Sequence, residues 1–294
     1  MTGQNWDTLF KSDSFVNQYK TGGKITGQYA LSLIEQSNII ANSKLNPNQP
    51  LVVLDNACGT GVVSSILHHE LGDKVKKNWK LTCGDISPGM IESTRRRAEE
   101  EQWSNATTQV LDAQKMSLPT AHFTHAFTAF AFMAMPQPLE ALDEACRVLQ
   151  PGGTIAFSTW IQPGWISIVG NAVKMMPNEL PWPTPQEFLH VTQKGEWDSM
   201  AWIESQLHQR KFQNIDVRAV SKSISLKVPE LSAMTMVMIP LVFQHFWSEK
   251  QLEETREDFS GALEKYLTDT YGKEGEVAME WVAILSTACK PSTS

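Results

Sequence analysis

The run Leu51-Val52-Val53-Leu54, followed by Asp55-Asn56-Ala57-Cys58-Gly59-Thr60-Gly61, constrains the fold more than any other stretch of the chain. Four consecutive apolar residues suit a strand covered on both faces, as in a parallel sheet. The acid and the two glycines then make a tight turn at the strand's carboxyl end, where backbone can approach a ligand closely. Val63, Ile66, Leu67 and Leu71 follow at helical spacing and complete a strand, loop and helix. The dinucleotide signature Gly-x-Gly-x-x-Gly is absent, because position 62 is Val, and no Gly-Lys-Ser or Gly-Lys-Thr marks a phosphate loop. Such a loop suits an uncharged part of a ligand better than a pyrophosphate.

The pattern repeats downstream. A second strand, Trp79 to Gly84, ends at Asp85, where an acid can grip ribose hydroxyls. Ser87 and Pro88 then open a helix with Met90 and Ile91 facing inward. A third strand, Thr107 to Leu111, stops at Asp112-Ala113-Gln114, and a carboxylate there can accept from an exocyclic adenine amine. Strand four is read as Ala126 to Phe132, a helix as Leu139 to Leu149, and strand five as Thr154 to Trp160 after the turn Gln150-Pro151-Gly152-Gly153. Each acid alone reads as a turn acid or helix cap. Together Asp55, Asp85 and Asp112 mark the crevice where open α/β sheets bind ligands. With strands at Asn214 to Val220 and Trp281 to Cys289, the expected fold is α/β, a Rossmann-like doubly wound seven-stranded sheet.

Residues 51–160 resemble class I S-adenosylmethionine-dependent methyltransferases in the Asp-x-x-Cys-Gly-Thr-Gly loop, Asp85, the Asp112-Ala113 pair and the Leu149-Gln150-Pro151-Gly152-Gly153 turn. The resemblance extends from Phe15-Val16-Asn17-Gln18-Tyr19-Lys20 through Phe246-Trp247-Ser248-Glu249 to Tyr266-Leu267-Thr268-Asp269-Thr270-Tyr271-Gly272. Over this length the chain is similar to the fungal gliotoxin bis-thiomethyltransferases, which cap both thiols of a reduced epidithiodiketopiperazine. That resemblance implies S-adenosylmethionine as cofactor and a dithiol such as dithiol gliotoxin as substrate. It places Asp55, Ala57, Gly59, Thr60 and Gly61 at the cofactor's loop, Asp85 and Ile86 at the ribose, and Asp112, Ala113 and Gln114 at the adenine, with Cys58, Met90 and Phe130 as further cofactor-site candidates. Tyr19 and Thr26, in a lid over the cofactor, are further cofactor candidates, and Phe10, Met135, Trp160 and Trp165 are substrate candidates. Ala57 replaces a glycine common in the wider family, and Thr124-His125 stands where many relatives carry an acid before strand four.

No catalytic acid or base is assigned. A thiol near pKa 8.5 is already a few per cent ionised at neutral pH, so proximity and desolvation are the expected sources of rate. An O- or N-methyltransferase of another fungal secondary metabolite would share every cofactor residue. A methyltransferase-like binding protein without methyl transfer would keep the same loop. The residues leave both alternatives open.

Residues 1–50 are amphipathic and are expected to form a helical lid, 51–160 the cofactor-binding core, and 161–294 substrate-cap helices with the last two strands, all in one integrated domain. The Trp- and Pro-rich stretch 161–200 leaves strand five beside the reacting centre, and Met234, Met236 and Met238 lie in an apolar run read as inserted helices. A net charge of −7 and a pI near 5.5 disfavour a nucleic-acid partner. The polar start and the lack of a long apolar stretch predict a cytoplasmic chain without membrane contact. Four scattered cysteines are read as reduced, and seven histidines lack metal-ligand spacing, so no metal is expected. The expected form is a monomer acting on a small molecule.

Overall fold

The computed structural model describes residues 20–176 and 180–292, so the candidates Phe10 and Tyr19 lie outside the described residues. Its sheet comprises β1 (Val52–Asn56), β2 (Lys80–Asp85), β3 (Ala106–Val110), β4 (Phe123–Ala129), β5 (Leu149–Gln162), β6 (Gln213–Lys227) and β7 (Glu276–Cys289). The spatial order is β3-β2-β1-β4-β5-β7-β6. The first five strands are parallel, and β7 is antiparallel to both β5 and β6. This is the seven-stranded Rossmann-like sheet that the strand pattern predicts. The apolar run at β1 has its cause in burial on both faces, since Val53, Leu54, Asp55 and Asn56 are all essentially inaccessible.

The helices, in chain order, are α1 (Lys20–Gln36), α2 (Ile39–Leu45), α3 (Val62–Glu70), α4 (Asp73–Lys76), α5 (Pro88–Glu100), α6 (Pro138–Val148), α7 (Trp165–Lys174), α8 (Pro185–Thr192), α9 (Met200–Gln209), α10 (Val228–Phe246) and α11 (Glu249–Tyr271). The helical spacing of Ile25, Tyr29 and Leu33 puts all three on the buried side of α1, with Ile34 beside them. Ser87 caps α5 by accepting from Met90 N, and Pro88 occupies its first turn. No helix among the described residues is long and apolar enough to cross a membrane.

Several boundaries differ from the sequence expectation. Strand four ends at Ala129 because Phe130 takes φ 54°, which breaks the extended backbone, and Phe132 lies in a short 3-10 turn. The Pro151-Gly152-Gly153 turn is absorbed into β5 as an irregularity. Gly152 has φ 75°, and a Cβ on Gly153 would stand 2.9 Å from Gln150 O and 3.0 Å from Phe123 O. Strands six and seven are longer than their apolar segments, pairing as far as Lys227 with Glu276. The added pairs include Ser221, Lys222, Ser223 and Ser225, residues whose polarity suits the edge strand β6. The apolar run 231–246 forms one helix, α10, with Pro240 inside it.

Candidate active site

The loop between β1 and α3 is tied down from beneath. Cys58 N donates to Gly84 O at 3.0 Å, and Gly61 N donates to Cys58 O at 2.9 Å. Thr94 Oγ1 donates to Gly59 O at 2.7 Å. Gly61 has φ 74°, and a Cβ there would stand 2.9 Å from Thr94 Cγ2 and 3.1 Å from Trp103 Cη2, so the position admits only glycine. Ala57 also lies in the left-handed region, at φ 52°, where an L side chain is strained by about 1–2 kcal/mol.

The strand-tip acids take different tasks. Asp55 Oδ2 accepts from Ser64 Oγ at 2.6 Å and from Ser64 N at 3.2 Å, which anchors the start of α3 under the loop. Burial pushes its carboxyl up to about 7, against the lowering effect of the Ser64 bonds. Asp85 Oδ2 accepts from Gly59 N and its Oδ1 from Ser87 N, each at 2.9 Å. Burial raises its pKa, and the backbone donors oppose that rise. Asp112 Oδ1 accepts from Gln114 N at 2.9 Å and from Gln114 Nε2 at 3.0 Å. Burial also pushes the Cys58 thiol well up from its ordinary value, so this cysteine packs as an unionised side chain.

Two cavities open over the strand tips. The first, of about 100 Å³, brings together Ala57, Gly59, Asp85, Ile86, Met90, Asp112, Ala113, Gln114 and Phe130. Met135, expected on the substrate side, lines this cavity instead. Asp55, Cys58, Thr60 and Gly61 build the loop without lining either cavity. The second cavity, of about 140 Å³, is lined by Phe130, Trp160 and Trp165, and by Thr26, which was expected at the cofactor. Phe130 and Ala134 line both cavities and are therefore the wall between them.

Phe130 is held in place by Ser158, whose backbone O and Oγ accept from Phe130 N at 3.0 Å and 3.1 Å. Its ring stacks on Trp160 with centroids 4.0 Å apart and planes at 20°. Tyr29 meets both rings edge-on and donates its hydroxyl to Trp281 O at 2.7 Å. Among the described residues lining the second cavity none carries an ionisable acid or base.

Several lining residues escape sequence reasoning. Leu111, Ala131, Ala134 and Pro136 flank recognised strand tips, so the segments just after β3 and β4 carry their signal. Met133 follows the same tip, and Met234 and Met238 belong to the methionine run noted above. Phe188, Leu189 and Gln193 on or after α8, and Trp281 on β7, have no local pattern that separates them from core.

The first cavity fits an adenosyl group. Asp85 and Asp112 supply carboxylates for hydroxyl and amine donors, Ile86, Met90 and Leu111 give apolar walls, and Ala57 and Gly59 leave the loop backbone close by.

A family model described as "Methyltransferase domain" matches residues 53–153. Methyltransferase tpcH of Aspergillus fumigatus is 38% identical over 285 residues, 97% of this chain and 99% of the relative. Acetylaranotin bis-thiomethyltransferase of Aspergillus terreus is 38% identical over 99% of this chain and 100% of its own. A solved structure described as a methyltransferase from Bacillus halodurans shares the fold with a TM-score of 0.51, at 16% identity, over 86% of this chain and 99% of that one. The loop, the strand-tip acids and these full-length relatives make the chain a member of the class I S-adenosylmethionine-dependent methyltransferases, and an enzyme that uses that cofactor.

Proposed function

We propose that this enzyme is an S-methyltransferase that caps both free thiols of a reduced epidithiodiketopiperazine such as dithiol gliotoxin, giving the bis-methylthio product. The observation that carries the reading is the second cavity, which adjoins the cofactor cavity through Phe130 and Ala134 and offers aromatic walls without an ionisable side chain among its described lining residues. The name of the Aspergillus terreus relative supports it.

S-adenosylmethionine supplies a methyl group on a positively charged sulfur. Asp85, Asp112 and Gln114 hold the adenosyl part, while Ala57 and Gly59 bring the loop backbone against the rest. Phe130 and Trp160 exclude water where a thiolate approaches; displacement needs that nucleophile roughly 3–3.5 Å from the methyl carbon and in line with the departing sulfur. A thiol ionises readily enough to need no partner base. A hydroxyl or ammonium acceptor would need one, and this cavity's described lining does not provide it. On the same reading residues 1–50 form the lid, 51–160 the cofactor core and 161–294 the substrate cap with the last strands.

Incubation with S-adenosylmethionine and a panel of reduced dithiols, phenols and amines, followed by mass spectrometry, is expected to give bis-methylthio products alone. Transfer to phenols or amines with the dithiols untouched would overturn the proposal.

A further inference from the structure

Ser158 lines neither cavity, yet it bonds the residue that separates them. Phe130 stands at φ 54°, a conformation that a bulky L residue adopts rarely and keeps only where its surroundings outweigh the strain. Its N–H meets two acceptors on one residue, Ser158 O at 3.0 Å and Ser158 Oγ at 3.1 Å. The first bond continues the ladder between β4 and β5, whose last register pair is Ala129 with Ser158. The second is extra to the ladder, and its acceptor belongs to a buried side chain. Side chains alternate along a strand, so Ser158 and Trp160 share one face of β5. Ser158 therefore grips Phe130 by its backbone while Trp160, with ring centroids 4.0 Å apart, grips it by its ring. The short turn that follows starts from this bend: Ala134, the other residue common to both linings, donates its N–H to Ala131 O at 2.9 Å.

We propose that Ser158 is a positioning residue for methyl transfer. Its hydroxyl holds Phe130 at positive φ against the extended conformation that would prolong β4, and so keeps Phe130 and Ala134 at the junction of the two cavities. The methyl group has to cross at that junction when the cofactor occupies the first cavity and the acceptor the second. Displacement demands a close, in-line approach, and a shift of about 1 Å in the parts that align the two molecules costs up to about a hundredfold in rate. Ser158 lies outside both linings and acts through Phe130. The inference rests on the reading that cofactor and acceptor take the two cavities, and not on the acceptor being a thiol. The bond from Phe130 N to Ser158 O survives loss of the hydroxyl, so removing Oγ leaves the Phe130 N–H paired and changes the bias on Phe130 rather than the fold.

The test compares Ser158→Ala, and Ser158→Cys as a variant of nearly the same shape with a poor acceptor, with Phe130→Ala and with the double variant Phe130→Ala/Ser158→Ala. Rates are measured on the full chain with S-adenosylmethionine and whichever acceptor of the panel above it methylates, and S-adenosylhomocysteine affinity by calorimetry. Each Ser158 variant is expected to lower kcat about tenfold, with acceptor KM and S-adenosylhomocysteine affinity within about twofold of wild type. Phe130→Ala is expected to lower kcat at least as far, and adding Ser158→Ala to it to change nothing more. Crystals of Ser158→Ala with S-adenosylhomocysteine are expected to show the Phe130 ring displaced from Trp160. A ring still stacked there, or a further loss in the double variant, would overturn the proposal. If Phe130→Ala lowers kcat and the Ser158 variants do not, the positioning role falls and the two-cavity reading stands. If Phe130→Ala leaves kcat at the wild-type value, both fall together. If Ser158→Ala slows transfer to a phenol or amine and dithiols stay untouched, thiol capping falls and the role of Ser158 stands.

Discussion

Asp55 shows how one buried carboxyl ties the ligand loop to the stability of the whole chain. Its pKa lies at about 7 in the folded state because burial outweighs the two Ser64 bonds, whereas the ordinary value is 3.8. Between those values the folded chain therefore holds a proton that the unfolded chain has released. The resulting contribution to stability is fully present below 3.8 and is lost as pH rises to about 7. Asp55→Asn keeps an amide oxygen for Ser64 and removes the titration. Urea unfolding across that window is expected to show wild type losing stability relative to Asp55→Asn as pH rises; parallel profiles would remove Asp55 as the cause. The acid was legible in the sequence, but its task was not. A strand-tip Asp that bonds a helix start and one that faces a ligand look alike until the side chains alternate along a real strand, with Asp55 turned to Ser64 and Asp85 to Gly59 and Ser87.

Among the elements, β2 and the segment leaving β3 meet tightly. A Cβ on Gly84 would stand 2.5 Å from Leu111 Cδ2 and 3.0 Å from Leu111 Cβ, and Leu111 lines the first cavity. Gly84→Ala therefore has to displace Leu111, a residue of the first cavity's lining. Overpacking of this kind is expected to cost about 1–3 kcal/mol in urea unfolding, with weaker S-adenosylhomocysteine binding by calorimetry. Unchanged affinity would show that Leu111 yields in another direction. Element existence was readable from periodicity, as in β1 and α3, whereas boundaries depended on features that apolarity does not encode. Phe130 looks like one more strand residue, yet its positive φ ends β4 and swings its ring against Trp160. By contrast, the ion pair between Lys24 of α1 and Glu230 of α10 crosses two cavity-lining helices while remaining substantially solvated. Exposed pairs of this kind contribute little, about 0–1 kcal/mol, so packing rather than that contact sets the spacing of the two helices.

At the scale of the whole molecule, two compartments share a single wall. If both thiols of one acceptor are capped, each must face Phe130 and Ala134 in turn, and the spent cofactor must be exchanged between the two transfers. With the cofactor limiting, a time course by mass spectrometry is expected to show mono-methylated material before the bis-methylated product. Its absence at every time point would mean that the acceptor is held through cofactor exchange. The lining of the first cavity was legible because successive strand tips carry it in chain order. The lining of the second was not, because Ile25, Phe188, Met234 and Trp281 come from distant parts of the chain and only the folded sheet assembles them.

The placement of β7 between β5 and β6 has a consequence for how such a chain comes into being. Of the described strands the last in chain order is an interior one, so β6 has no seat on the sheet, and Trp281 no place beside the second cavity, until β7 has been made. Contacts this remote in sequence form late. The nascent chain thus has the strand tips that line the first cavity well before the lining of the second is complete.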